Sequence, residues 1–323
     1  MQIKKADAVF EGGGVKGIAL VGAVCYAESL GYRWHNIAGT SAGAIVGALL
    51  AAGYKGHEIH RIMQNLDYRS FCDAGLFGRI PQLGPFLNLT VNLGLYKGQE
   101  IEDWLNQLLQ AKGVSSFGDL RLPGETNPRY RYKLQVIASD LSLGRMLVLP
   151  EDIQVYGDSP DHLSVARAVR MSLSIPFFYE PVRIKQNSAT NYVVDGGILS
   201  NFPVWLFDSP NGEPPPWPTF GFRLVDPNED QPHNINGPLS MLSALVNTMM
   251  SARDARDLEE AHWVRTISIN TLGIKTTDFN ISTQQAEMLF NSGREAARNF
   301  FRNCDFHLYK SRYRLNLKSS TAT

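Results

Sequence analysis

Cysteine is scarce in this chain. Cys25, Cys72 and Cys304 are odd in number and far apart, so a disulfide framework is not expected and reduced thiols are. Neither sign of charge is in surplus. The 31 Lys and Arg residues balance 31 Asp and Glu, which removes the usual electrostatic basis for nucleic-acid binding. Lys310, Arg312, Arg314 and Lys318 make a modest basic cluster, read as a solvated end. Long apolar runs are also missing: Ala44 to Ala52 is strongly apolar but falls far short of the roughly 20 residues that cross a bilayer. Met1-Gln2-Ile3-Lys4-Lys5 leads into a strand-like Ala8-Val9-Phe10 with no apolar segment and small-residue cleavage site. A cleaved signal peptide is therefore not expected; a cytoplasmic protein with at most peripheral membrane contact is.

What remains is a chain of ordinary globular composition, 44% hydrophobic over 323 residues. No composition shift, repeat or low-complexity tract divides it, so residues 1–323 are read as one domain. The first sixty residues read as β-turn-α twice. Ala6–Phe10 and Trp34–Ala38 are strand candidates, followed by helical patterns at Ile18–Leu30 and Ala42–Ala52. Later strands are expected at Lys133–Ala138, Asn191–Val194, Thr219–Val225 and Val264–Ile269. Helices are expected at Glu100–Leu109, 163–172, Leu239–Ala261 and Thr283–Phe301. Alternating strands and helices predict an α/β fold with a largely parallel sheet. Residues 71–98 break the pattern, mixing apolar side chains with Gly and Pro at no fixed period. Such a segment is either an irregular buried loop or a cap over a binding site.

Gly39-Thr40-Ser41-Ala42-Gly43 matches G-x-S-x-G, the sharp strand-to-helix turn that lifts a serine hydroxyl out of the backbone. Its place after one apolar strand and before a small-residue helix supplies the context that motif needs. One β-α unit earlier lies Glu11-Gly12-Gly13-Gly14-Val15-Lys16-Gly17. Through Gly12, Gly14 and Gly17 it also satisfies G-x-G-x-x-G, the dinucleotide fingerprint. That fingerprint wants an acidic residue at the end of the next strand, and Ala38-Gly39-Thr40-Ser41 offers none. A glycine loop at a helix start presents free backbone N–H groups, which suits an oxyanion hole opposite a nucleophilic serine.

A serine hydroxyl needs a base within hydrogen-bond reach. His233, His262 and His307 come late enough in the chain to serve in a triad, but none has a distinguishing context. Asp195 follows the apolar run Tyr192-Val193-Val194 and precedes Gly196-Gly197, a carboxylate at a sheet edge or a turn-stabilising residue. Asp140 also ends a strand, though Leu141-Ser142-Leu143-Gly144 after it reads as a hairpin connection.

Taken in order, Gly12–Gly17, Gly39–Gly43 and Asp195-Gly196-Gly197 resemble the motifs of patatin-like phospholipases. Ser172-Leu173-Ser174-Ile175-Pro176-Phe177-Phe178 with Pro181 adds to the likeness, as does the stretch from Arg253-Asp254 through Asp278-Phe279 to Gly293. The resemblance covers nearly the whole chain. It implies a three-layer α/β/α fold and a lipid acyl hydrolase acting on lipid or ester substrates. It further implies a Ser41–Asp195 dyad with no catalytic histidine, an oxyanion hole from the Gly12, Gly13 and Gly14 amides, and no metal or other cofactor. Gly17, Gly39, Gly43, Gly196 and Gly197 complete its motifs, and Lys16 fills its basic position. An acyltransferase or thioesterase using the same serine, and a non-catalytic binding protein on the same fold, are the rival readings. Residues 71–98 become an apolar wall or lid for acyl chains.

Overall fold

The first two β-α units build the centre of the sheet. In the computed structural model, which describes residues 3–73, 91–186, 188–208, 216–227 and 264–304 with short pieces at 89, 235–237 and within 241–249, β1 (Lys4–Phe10) lies beside β2 (Tyr32–Thr40) in parallel. The last five residues of each strand are buried, as expected where a parallel strand is covered on both faces. Between them runs α1 (Gly17–Ser29), and α2 (Ala42–Ala51) follows β2. Every residue of α2 is buried, so its run of Ala and Gly lets the helix lie close to the sheet.

The other elements, in chain order, are α3 (Gly56–Gln64), β3 (Gly94–Tyr96), α4 (Gln99–Gln110), β4 (Leu134–Asp140), β5 (Arg145–Leu149), α5 (Val165–Ser172), β6 (Phe177–Tyr179), β7 (Val182–Gln186), β8 (Ala189–Asp195), β9 (Thr219–Val225), β10 (Thr266–Asn270) and α6 (Thr283–Asn303). The main sheet runs β10-β9-β1-β2-β4-β8-β7, with β5 also on β4. Strands β10, β9, β1, β2 and β4 are parallel; β5, β8 and β7 are added antiparallel. The fold is α/β with a mostly parallel central sheet, as the alternation of patterns predicts.

The registers on β4 hold the detail that matters for the site. Gly39 and Thr40 of β2 face Val136 and Ile137, while Asp195 of β8 faces Ala138. Along the same residues β5 pairs continuously, from Val136 with Leu149 to Asp140 with Arg145. A strand has two hydrogen-bonding edges, so β2 and β8 must share the edge that β5 leaves. They meet there end to end. One chain leaves the sheet after Thr40 just where the other finishes at Asp195.

The two faces of the sheet carry separate cores. Ala8, Phe10, Ile37, Val136 and Ala138 pack with residues of α1, α2, α5 and α6, whereas Val9, Ala38 and Ile137 pack with Phe202, Val204, Leu206 and Phe207. Helix α6 crosses α1 so tightly that a Cβ on Gly22 would lie 1.9 Å from Phe290 O, and one on Gly293 would lie 1.8 Å from Ala19 O. Four short elements, α3, β3, β6 and β7, went without an expectation from sequence, β3 lying inside the 71–98 segment that showed no period. Most of the 71–98 segment and of the helix read at Leu239–Ala261 lies outside the described residues, as do His233, His262 and His307. No helix of the described residues is long and apolar enough to cross a membrane.

Candidate active site

Ser41 sits between β2 and α2 with φ 51° and ψ −125°. For a residue with a side chain this is a strained conformation, costing on the order of 1–3 kcal/mol, and it must be held by its surroundings. Several contacts hold it. The Ser41 amide donates to Ser172 Oγ at 2.8 Å, and that hydroxyl donates in turn to Ile137 O at 2.5 Å. The Ser41 carbonyl accepts the Ala44 amide at 2.8 Å, starting the helix. The fencing glycines are required by space. A Cβ on Gly39 would lie 2.4 Å from Gly43 O, and one on Gly43 would lie 2.4 Å from Phe10 O and 2.6 Å from Glu11 O.

Asp195 arrives from the opposite direction on the same edge of β4. Its amide donates to Ser174 O at 2.9 Å, and its Oδ1 accepts the Gly197 amide at 2.8 Å. Gly196 must lack a side chain because a Cβ there would lie 2.2 Å from Ile137 O. The carboxyl is fully buried, and burial pushes its pKa up to about 7. The Gly197 amide and the Ser41 hydroxyl act in the other direction, favouring the charged form. Oδ2 has no formed hydrogen bond, so the hydroxyl lies near the carboxyl without an aligned contact. Looser geometry of this kind is common before substrate binds.

The glycine loop closes the third side. A Cβ on Gly12 would lie 3.0 Å from Ser41 Cβ, so the absent side chain lets loop and serine touch. Not all three amides are available, however. The Gly12 amide already donates to Asn201 O at 3.2 Å. The Val15 amide donates to Thr276 O at 3.2 Å and the Lys16 amide to Gly13 O at 3.2 Å. Among the described residues the Gly13 and Gly14 amides have no partner, which leaves two donors where three were expected. Gly14 has φ +56° and its Cβ would lie 2.1 Å from Thr276 O, so no other residue fits. Gly17 brings α1 against α2, its absent Cβ 3.3 Å from that of Ala42.

Two supporting residues escaped the motif reading, Ser172 and Asn201. Asn201 is buried; besides its carbonyl on Gly12, its Nδ2 reaches Glu11 Oε1 at 3.4 Å. Ser172 lies 131 residues from Ser41 and Asn201 lies 189 residues from Gly12, and only Ser172 fell inside a stretch marked by resemblance. Asp140, the rival carboxylate, is occupied elsewhere. It accepts the Ser142 and Leu143 amides at 2.7 and 3.0 Å and the Tyr156 hydroxyl at 2.5 Å. Burial pushes the Cys25 thiol up to about 12, which leaves it a poor nucleophile. No group of three His, Cys, Asp or Glu side chains able to hold a metal occurs among the described residues.

The profile of the patatin-like phospholipase family matches residues 8–208, which span the glycine loop, the serine turn and Asp195. The chain belongs to the patatin-like phospholipase family. This patatin-like chain is 40% identical over 297 residues to the uncharacterized protein YqhO of Bacillus subtilis (strain 168), covering 92% of the chain and 98% of YqhO. A more distant relative is the probable lipid hydrolase 463L of Invertebrate iridescent virus 6, 24% identical over 208 residues and 61% of each chain. Among solved structures, VipD from Legionella pneumophila superposes with a TM-score of 0.54 at 17% identity, covering 94% of this chain and 67% of VipD. That likeness speaks to the patatin fold alone. Family membership supports lipid hydrolysis as the activity class.

Proposed function

We propose that the protein is a serine lipid acyl hydrolase in which Ser41 is the nucleophile, Asp195 the general base and the Gly13 and Gly14 amides the oxyanion donors. The observation that carries this reading is the end-to-end meeting of β2 and β8 on one edge of β4, which sets a strained serine against a buried carboxyl with a pKa near neutrality. A base poised near working pH combines the correct protonation state with useful proton affinity.

In the proposed reaction, ionised Asp195 takes the proton of Ser41 Oγ as that oxygen attacks the ester carbonyl carbon. The carbonyl π pair moves to oxygen, where the Gly13 and Gly14 amides meet the developing charge. The tetrahedral adduct collapses, the acyl C–O bond to the alcohol breaks, and Asp195 returns its proton to the departing oxygen. Water then enters, gives a proton to Asp195 and adds to the acyl carbon. Collapse of that second adduct frees the fatty acid, with the proton going back to Ser41. Asn201 holds the glycine loop by its backbone carbonyl, and Ser172 holds the serine turn.

The test is a panel of Ser41→Ala, Asp195→Asn and alanine at His233, His262 and His307, assayed on one lipid ester. The first two should lose nearly all activity and the histidine variants should keep most of theirs. A histidine variant as inactive as Ser41→Ala would replace the dyad by a triad. Product analysis with an added alcohol or lysolipid tests hydrolysis against acyl transfer.

A further inference from the structure

The hairpin between β4 and β5 presents a feature that the reaction does not use. Its turn, Leu141–Gly144, carries two large apolar side chains into solvent, Leu141 at 54% and Leu143 at 47% exposure. Turns in water ordinarily hold Gly, Asn, Asp, Ser or Pro, because their conformations favour those residues and leucine gains nothing there. Nor do these leucines sit on a slack loop. The buried Asp140 carboxylate fixes the amides of Ser142 and Leu143, and its second oxygen is held by Tyr156. Tyr192 of β8 clamps the same turn from the side: its carbonyl accepts the Leu141 amide at 3.0 Å, and its amide donates to Ser142 Oγ at 2.9 Å. A buried carboxylate and a neighbouring strand thus hold two leucines outward in one fixed arrangement.

We propose that this turn is a docking tip for an anionic lipid bilayer, a proposal that rests on the lipid-hydrolase reading above. Two further observations select that partner. The first is position. Leu141 is three residues beyond Ala138, which faces Asp195, so at about 3.3 Å per residue the tip begins roughly 10 Å past the dyad, at the same end of the sheet. A bilayer met by the leucines therefore lies at the end of the molecule where an acyl ester must enter. The second is charge. Arg183 of β7 pairs with Tyr192, level with Leu141, and Lys185 stands two residues farther out opposite Thr190; both are exposed. Arg145 at the base of the turn is exposed too, 3.4 Å from Asp152. Of the carboxylates nearby, Asp140 is buried beneath the turn, Asp152 is paired, and Glu180 is half-buried beside Arg183. Apolar side chains entering the acyl region, with cations level with them or beyond, fit a surface carrying acidic headgroups.

Binding is measured on full-length Ser41→Ala protein, so that vesicles stay intact. Flotation uses vesicles of phosphatidylcholine alone and of phosphatidylcholine with one quarter phosphatidylglycerol. The protein should float with the anionic vesicles. Leu141→Ser/Leu143→Ser should reduce that partition by about tenfold or more, from the apolar area withdrawn. Arg183→Gln/Lys185→Gln should remove the preference for the anionic vesicles. Leu143→Trp should gain a blue-shifted emission component on anionic vesicles and be quenched by brominated acyl chains; this arm stands even if the serine pair fails to fold. The proposal is overturned if the serine pair, folded by circular dichroism, floats like its parent. It is also overturned if the added emission of Leu143→Trp stays unquenched on bound protein, or if light scattering shows a dimer that the serine pair dissociates, which would make a second copy the occupant. Because no turnover enters these measurements, docking without hydrolysis by the wild type would sink the dyad and leave the tip standing. Hydrolysis of a soluble ester by a wild type that binds no vesicle would do the reverse.

Discussion

Replacing Asp195 by Asn should inactivate the protein and stabilise it, and the stabilisation should depend on pH in a calculable way. Burial raises the Asp195 pKa from its ordinary value of 3.8 to about 7. Between those two values the folded state binds a proton that the unfolded state has lost, so folding stability falls as pH rises through this window. Above pH 7 the full penalty is present. A shift of about three units is worth about 4 kcal/mol at about 1.4 kcal/mol per unit. Asparagine cannot ionise, and its Oδ1 can still accept the Gly197 amide. Its Nδ2 needs an acceptor where Oδ2 now has no formed hydrogen bond, a pH-independent cost of about 1–3 kcal/mol. Asp7, also pushed up to about 7 by burial, is present in both proteins and cancels in the difference. Urea denaturation of wild type and variant at pH 8.5 and at pH 4 should therefore show a stability difference that shifts in favour of the variant by about 3–4 kcal/mol at the higher pH. Ester hydrolysis should fall by about 10²–10⁴-fold, the usual contribution of a positioned base. A difference that stays constant with pH, or a variant keeping a tenth of its activity, would refute the assignment of a perturbed base to this carboxyl.

Further outcomes follow from the same geometry. In the wild type, log kcat/KM should climb with unit slope below about pH 7 and level off above it, since protonated Asp195 cannot accept the serine proton; a profile flat down to pH 5 would exclude it. Gly43→Ala should abolish activity, because its Cβ would lie 2.4 Å from the Phe10 carbonyl at the start of the glycine loop; normal fluorophosphonate labelling of Ser41 in this variant would contradict that. Ser172→Ala removes the acceptor of the Ser41 amide, and kcat should drop by about tenfold with KM nearly unchanged, whereas Ser172→Thr should retain more. Gly293→Ala should cost about 1–3 kcal/mol in thermal or urea unfolding, since its Cβ would lie 1.8 Å from Ala19 O between α1 and α6.

The parts of this fold that could be read in the sequence are those whose cause is local. The turn at Ser41 announces itself because the glycines that relieve it, Gly39 and Gly43, are its own neighbours, and the strands β1, β2 and β4 because their buried runs are continuous. Strand β7 left a usable signal, since Val182 and Ile184 are buried and Arg183 and Lys185 exposed in strict alternation. So did α3, whose buried Gly56, Ile59 and Met63 fall at helical spacing. The three-residue β6 is too short to show any period. What the sequence could not disclose is which backbone donors are already engaged. Gly12 looks like its neighbours until Asn201, 189 residues away, is seen to hold its amide. Asp140 and Asp195 both end a strand, and the hairpin read after Asp140 is the β4–β5 turn. What the sequence left open is how each carboxylate is occupied: Asp140 is bonded to two amides and a tyrosine, whereas Asp195 has one oxygen left over.

That leftover oxygen bears on why an aspartate could act without a histidine. A solvated carboxylate with a pKa near 4 is too weak a base to draw a proton from a serine hydroxyl at useful rate. The proposed dyad depends on a pocket that raises the basicity of the group, and here the pocket is made by topology. Because β2 and β8 end against each other on β4, neither terminus opens to water, and Asp195 is fully buried while Ser41 is 1% exposed. Strain at Ser41 and desolvation at Asp195 both disfavour the resting site, and both residues are anchored to the middle of β4, Ser41 through the Ser172 hydroxyl on Ile137 O and Asp195 by pairing with Ala138. The buried core that pays for them is the same one that places them, so a substitution that loosens β4 should lower the Asp195 pKa and the activity together.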